Sequence, residues 1–397
     1  MIKNFRLSVK NYFQRIQKHE IRFEKILLIL LALSVCVSEP LSRNIIRVIF
    51  FIFAIKFFIS KDAAMELIKR YKIFLLTISA FAWWMIISSI YGGHLVSDSD
   101  SRVYWFFFSH NMILFIPLIM IIRRKKNSAP LLIAIGLSIL IDDIFMACQI
   151  FDGVSKPITF LNDSPFQSSI LYIILLPTFL LLTLDSEDFR QKIFFGVTFF
   201  VSLWVFLYLH TNLAQIILAI IFVMILIDRF GATKKFLAAI MAAGIIFVMF
   251  QGALKDLPNF DKICAEDVFS ARQKVWENSF EFVQDNPVMG VGLGNYTKIY
   301  EERFIDETRN LKVLHAYNSY LQFWAETGIF GVILFCGIFG NILVWSRRRC
   351  GNIYGRILFF ATLALMLYGL TDFIFERYSA MRLYWVLLGI CVASLDR

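Results

Sequence analysis

The chain lacks the short motifs that mark most soluble enzymes. It contains no H-E-x-x-H and no G-x-S-x-G, so the usual zinc-protease and serine-hydrolase arrangements are excluded. Its six cysteines (Cys36, Cys148, Cys264, Cys336, Cys350 and Cys391) are scattered, with no C-x-x-C or other metal spacing. Neither a disulfide framework nor a zinc site is therefore expected. No A-x-A-like site follows the first apolar run, and the N-terminus is long, basic and amphipathic, so no cleavable signal peptide is expected. No internal two-fold repeat of the kind many secondary transporters carry is evident. Gly290-x-Gly292-x-Gly294 has neither a preceding strand nor a P-loop lysine, which argues against a nucleotide loop.

What the chain has in abundance is apolar sequence. Hydrophobic residues make up 58%, 43 residues are phenylalanine, and the mean hydropathy is +0.68. Apolar runs of about 17–20 residues recur throughout, which predicts an all-α polytopic membrane protein. We read spans at 25–39, 43–59, 73–91, 103–122, 130–150, 166–184, 193–209, 212–228, 235–251, 319–345, 356–371 and 379–394, about twelve transmembrane helices in all. The domain reading is three-part: helices over 1–251, a polar loop over 252–318, and helices over 319–397.

The net charge of +10 is concentrated in short loops, including Arg123-Arg124-Lys125-Lys126 and Arg347-Arg348-Arg349, so it reads as topology-setting charge and not as a nucleic-acid surface. The basic loops alternate with polar or acidic ones, and the positive-inside rule places both termini in the cytoplasm. The long loop 252–318 then faces outward. Its eight basic residues against eleven acidic ones leave it at −3. Within it, 270–284 has helical spacing with Val275, Trp276, Phe280 and Val283 on one face, and Asn286-Pro287 ends the helix. A small, partly helical subdomain lying against the membrane is expected.

Polar residues gather on the outward side: Arg272, His315, Asn318, Glu326, Asp372, Glu376, Arg377 and Arg382. His315 stands where the loop runs into an apolar helix, beside water but shielded from it, a placement that suits proton transfer. Asn318 and Ser319 can cap that helix. Glu326 lies about two turns inside it, where an ionisable group needs a partner or a function. Gly328, Gly331, Gly337 and Gly340 read as close helix packing. Arg377 and Arg382, like Arg43, Arg47 and Arg102, run against the positive-inside rule; they either snorkel to headgroups or bind an anionic lipid through their guanidinium forks.

The run His315-Ala316-Tyr317-Asn318-Ser319, continuing through Glu326, Gly328 and Gly331, resembles the signature of the O-antigen ligase and polymerase superfamily. Ser270-Ala271-Arg272-Gln273-Lys274-Val275-Trp276 with Asn286-Pro287-Val288-Met289-Gly290-Val291-Gly292 looks like the R-x-x-x-W…P-x-x-G-x-G part of that family's large periplasmic loop, and Gly369-Leu370-Thr371-Asp372 resembles a further ligase segment. The resemblance implies a GT-C-like glycosyltransferase of the bacterial inner membrane, acting in lipopolysaccharide biosynthesis. It would move a glycan from undecaprenyl pyrophosphate to the lipid A–core acceptor at the periplasmic face, with inversion and without metal or other cofactor. By the same resemblance Arg272 binds the donor pyrophosphate and His315 serves the acceptor; its chemistry makes His315 the base expected to accept the acceptor hydroxyl's proton. Asn318, Glu326 and Asp372 are expected to contact substrate. The family's second arginine has no counterpart: its T-R-A-like segment falls at His210-Thr211-Asn212-Leu213-Ala214, with Leu213 in the arginine's place. Arg377, Arg382 or Arg102 is expected to substitute. The nearest alternative is an O-antigen polymerase of the same superfamily. A transporter is the alternative from another class, and Asp142-Asp143 inside the fifth span is its best hint.

Overall fold

The computed structural model describes residues 22–59, 61–92, 111–123, 128–154, 157–161, 165–209, 211–231, 266–304, 313–375 and 378–395. The described residues are all-helical, with no strand among them. In chain order the helices are α1 (22–34), α2 (Glu39–Ile59), α3 (Lys61–Arg70), α4 (Lys72–Tyr91), α5 (Phe115–Arg123), α6 (Ala129–Phe151) and α7 (Pro165–Asp185). There follow α8 (Phe189–Tyr208), α9 (Asn212–Phe230), α10 (Glu266–Asp285), α11 (Tyr296–Phe304), α12 (Ser319–Arg347), α13 (Ile353–Tyr368) and α14 (Tyr378–Leu395).

Among the described residues seven helices, α4, α6 to α9, α12 and α14, contain stretches long and apolar enough to cross a membrane, so the chain is a multi-pass membrane protein. The apolar runs read at 25–39 and 43–59 fall on α1 and α2, where charge is accommodated by pairing: Lys56 donates to Glu24, and both side chains are buried. Such pairing is what an apolar surround demands of a charge. The run at 356–371 corresponds to the 16-residue α13. The run at 235–251 lies outside the described residues, as do residues 103–110 of the run at 103–122.

Side-chain caps begin at least four of the described helices, Ser38 Oγ accepting from Leu41 N at α2. Asp188 accepts from Arg190 N at α8, Asn352 from Tyr354 N at α13, and Asn318 from Tyr320 N and Leu321 N at α12. The centre of the bundle is α14, almost wholly buried, packed against α13, α5 and α7. Helix α13 in turn touches α7, α9 and α12, and α4 lies along α12.

Two ends of the bundle are distinguishable. At one, the Asp185 carboxylate at the end of α7 is shared by Arg229 of α9 and Arg356 of α13, each at 2.7 Å, while Arg347 of α12 reaches Asp228 at 3.5 Å. The other end carries the polar residues 266–304 and 313–318. There α10 and α11 build a second, smaller core from Val275, Phe282, Val283, Tyr296, Tyr300 and Phe304, closed by Ala325 of α12. The helical face expected on α10 is split. Val275 and Val283 are buried with Phe282, whereas Phe280 is 46% exposed and points elsewhere with Trp276.

Candidate functional site

The polar segment is fastened to α12 by an exchange of backbone hydrogen bonds. Gly290, Gly292 and Gly294 all have positive φ (70°, 95° and 81°), a conformation glycine adopts without steric cost. This lets the turn lie flat on the helix, where Val291 N donates to Ala325 O and Gly292 N to Glu326 O, both at 2.8 Å. Helix α12 is interrupted to receive it. Gly328 sits at φ 69°, ψ −174°, and Ile329 N donates to Pro287 O at 3.0 Å instead of to a carbonyl of its own helix. From α4, Trp84 Nε1 donates to Thr327 O at 2.7 Å and Ser88 Oγ to Glu326 O at 3.0 Å, filling the remaining acceptors at the break. Gly328 is thus a break in the helix and not the packing glycine expected of it. Gly337 does face α4, with Thr77 at contact distance, while Gly340 faces open space.

Above this joint, two turns distant in sequence meet. Tyr317, a non-glycine residue at φ 48°, turns the chain between His315 and the cap Asn318. On the other side, residues 369–375 leave α13 and fold back. Ser319 N donates to Gly369 O (2.7 Å), Ser319 Oγ to Asp372 O (2.8 Å), and Asn318 Nδ2 to Leu370 O (3.1 Å). Arg272, projecting from α10, closes the group: one guanidinium nitrogen donates to Thr371 O at 2.9 Å, and the guanidinium carbon lies 5.2 Å from the centre of the Tyr317 ring. Among the described residues its partners are a carbonyl and a ring, so no carboxylate neutralises it. Its charge and its remaining N–H groups are available to an anion.

His315 is buried, its ring edge-on to Tyr317 (4.4 Å between centroids) and 5.9 Å from Phe373. Tyr317 N donates to His315 Nδ1 at 3.2 Å. A nitrogen that accepts a hydrogen bond carries no proton, so the neutral ring in this geometry holds its proton on Nε2.

Four expected site residues are therefore brought together: Arg272, His315, Asn318 and Asp372. Asp372 acts through its carbonyl on Ser319, and its carboxylate accepts from Tyr368 Oη (2.9 Å) and Phe373 N (2.8 Å), which shapes the turn. Glu326 faces the glycine turn, its carboxylate accepting from Tyr296 N at 3.4 Å. Arg382 is buried within the bundle against α2, donating to Ser42 at 2.7 Å with Glu39 at 3.8 Å; no contact joins it to Arg272. Arg377 and Arg102 lie outside the described residues, and so does His210 of the segment expected to hold a second arginine. Leu213 is half-buried on the first turn of α9. The Asp142-Asp143 pair is fully buried; Asp143 accepts from Tyr172 Oη at 2.6 Å and from Ser202 Oγ, and Asp142 from Phe160 N at 2.8 Å.

Sequence reasoning assigned no role to Tyr317 and Thr371, which hold Arg272 in place. It also gave Tyr296 none, although this phenol anchors the second core by a hydrogen bond with Ser279, and burial pushes it well above its ordinary range. Beside Asn318 opens a cleft of about 600 Å³, lined by Trp276, Glu277, Phe280, Glu281 and Gln284 of α10 and by Tyr320, Leu321 and Trp324 of α12.

Compared with known proteins, the chain matches the family model described as O-antigen ligase over residues 197–336, a stretch that runs from α8 through Arg272 and His315 to beyond Gly331. The match supports membership of the O-antigen ligase/polymerase superfamily. No curated protein matches the chain.

Proposed function

We propose that this member of the O-antigen ligase/polymerase superfamily is the ligase: an inverting, metal-independent transferase that moves a glycan from undecaprenyl pyrophosphate onto lipid A–core oligosaccharide. The match supports an O-antigen ligase or polymerase-like activity in general. The observation that carries the finer reading is the meeting of Arg272, His315, Asn318 and the 369–375 turn, because it joins the polar loop, the histidine motif and the Asp372 segment in one place. That combination favours the ligase over the polymerase. We place the protein in the bacterial inner membrane with about twelve spans in a GT-C-like arrangement, both termini cytoplasmic and the site periplasmic. The basic cluster at the other end of the bundle supports that orientation.

The chemistry asked of the site is modest. The polyprenyl pyrophosphate is already an energised leaving group, so no nucleotide is needed. Arg272 stabilises charge on the departing pyrophosphate; its fixed guanidinium is oriented before the substrate arrives, which is what electrostatic stabilisation requires. The acceptor hydroxyl attacks the anomeric carbon from the opposite side and inverts it as the bond from that carbon to the pyrophosphate oxygen breaks, and the hydroxyl proton passes to water. Asn318 and Asp372 hold the turn against the helix start, and Glu326 holds the glycine loop; their contribution to substrate binding is to keep these walls in place. His315 contacts the acceptor. The Tyr317 hydrogen bond at Nδ1 favours a donor at Nε2, so we assign His315 the task of orienting the acceptor hydroxyl. Service as the base would require the ring proton to move to Nδ1 and the Tyr317 amide to let go.

One experiment separates the readings of the whole chain. The lipopolysaccharide of a deletion strain is expected to be core without O-chain, with lipid-linked polymer accumulating. Core bearing a single repeat unit identifies a polymerase instead, and unaltered lipopolysaccharide removes both.

A further inference from the structure

The cleft beside Asn318 combines aromatic and hydrogen-bonding side chains in its lining. Its walls are aromatic rings, and acids and amides stand among them. Phe280 and Trp324 are nearly perpendicular, 84° between planes and 6.3 Å between centroids, and Glu277, Glu281 and Gln284 line the same space. Flat apolar rings bordered by hydrogen-bonding side chains suit a ligand with apolar C–H faces and hydroxyl edges, which is what a pyranose offers.

Its position narrows the occupant. Arg272, Trp276, Phe280 and Gln284 recur every fourth residue on α10, so they succeed one another at about 6 Å along one side of the helix. That step is close to the length of one sugar ring. The cleft therefore starts one turn from the guanidinium proposed to hold pyrophosphate and continues away from it. The break at Gly328 bears on which medium the cleft faces. The stretch from Ile329 to Arg347 rises roughly 28 Å, enough for a hydrocarbon layer of about 30 Å, and Tyr320, Leu321 and Trp324 lie beyond the break. Two exposed glutamates on the opposite wall would be costly against acyl chains.

Resting on the transferase reading above, we infer that this cleft binds the donor's glycan, seating about three neutral or amino sugars next to the pyrophosphate, with Phe280 and Trp324 as stacking surfaces and Glu277 and Glu281 selecting against acidic sugars. The cleft is then the part of the protein that recognises which glycan is carried.

The test uses the full-length protein in lipid nanodiscs and three probes: undecaprenyl pyrophosphate without sugar, the same carrier with a neutral trisaccharide, and the same carrier with a trisaccharide containing a uronic acid. Wild type is expected to bind the neutral trisaccharide donor at least about tenfold more tightly than the bare carrier. Phe280→Ala should remove most of that gain while bare carrier binds as before, and Phe280→Tyr, which keeps the ring, should retain it. Glu281→Gln should improve binding of the acidic donor by about threefold to tenfold, as loss of one like charge at close range predicts. The inference is overturned if sugars add nothing to wild-type affinity, or if Phe280→Ala weakens bare and glycosylated carrier alike, since the cleft would then hold lipid or merely support the fold. Failure of wild type to bind any of the three carriers would instead overturn the transferase reading on which the inference rests.

Discussion

Replacing Gly328 by alanine sets two opposed effects against each other, and the structure decides between them. On an ordinary helix the change would help, by up to about 1 kcal/mol of helix propensity. Here the backbone is at φ 69°, ψ −174°, a region essentially reserved for glycine, and a residue with a side chain there costs about 1–3 kcal/mol. A Cβ would also come within 1.8 Å of Val288 O and 2.2 Å of Val288 C, both backbone atoms that no side-chain rotation can move aside. The loop would have to lift, putting at risk the bonds Ile329 N–Pro287 O, Val291 N–Ala325 O and Gly292 N–Glu326 O. At about 0.5–1.5 kcal/mol each, their loss plus the strain exceeds the propensity gain, for a net destabilisation of roughly 2–6 kcal/mol. Since α10 rides on that loop, glycan transfer should fall further than the amount of folded protein does. The assay is thermal unfolding of purified protein in detergent alongside in vivo complementation, with Gly340→Ala as the control. Gly340 faces open space in the same helix, and its replacement should be neutral or slightly stabilising. If Gly328→Ala unfolds at the wild-type temperature and complements fully, the account of the joint is wrong.

Four further outcomes are expected. Arg272→Ala should nearly abolish transfer with the protein still inserted, and Arg272→Lys should restore only part, since lysine keeps the charge without the fork; full activity in the alanine variant would remove Arg272 from the site. His315→Ala should lose transfer, whereas His315→Gln, which keeps a donor, should retain a measurable fraction; a dead glutamine variant would restore the base role. Asp185→Asn leaves two arginines without their shared carboxylate, and since Arg229 is largely solvated the cost should come mostly from Arg356, about 1–3 kcal/mol by thermal unfolding. Tyr296→Phe should cost about 0.5–1.5 kcal/mol near neutrality. Because burial raises this phenol in the folded state, its stabilisation is complete below the unfolded value of about 10 and is lost as pH rises beyond it, so the gap between wild type and variant should narrow in alkali.

The sequence made some of this legible and hid the rest for identifiable reasons. Asn318 was readable as a helix cap because the capping residue and its helix are adjacent in the chain. The ending of α10 at Asn286-Pro287 was readable for the same reason. Arg272 and His315 could be named from spacing within a resemblance, but their contacts with Thr371 and Phe373 come from residues 99 and 58 positions away, and no periodicity reports such closures. Gly328 looked like a packing glycine because i,i+3 spacing fits either role; only the backbone angles distinguish them. Helical spacing assigns Trp276 and Phe280 to the buried face of α10, whereas the structure buries Asn278 and Ser279 there. Charge and span position alone put Arg382 among the outward arginines, and its burial against Ser42 of α2 depends on packing that hydropathy does not encode.

The way Arg272 is held has a consequence for turnover. Among the described residues, a guanidinium resting on a carbonyl oxygen and an aromatic face has no acid paired with it to compete for it once the glycan has been handed on. For the transfer proposed above, the spent carrier keeps its two phosphates and differs from the incoming one only in lacking sugar. It leaves a site that still attracts it. The expected kinetic behaviour is inhibition by undecaprenyl pyrophosphate, with a steady-state rate set by how fast other enzymes withdraw that carrier from the membrane and not by how fast the sugar bond breaks.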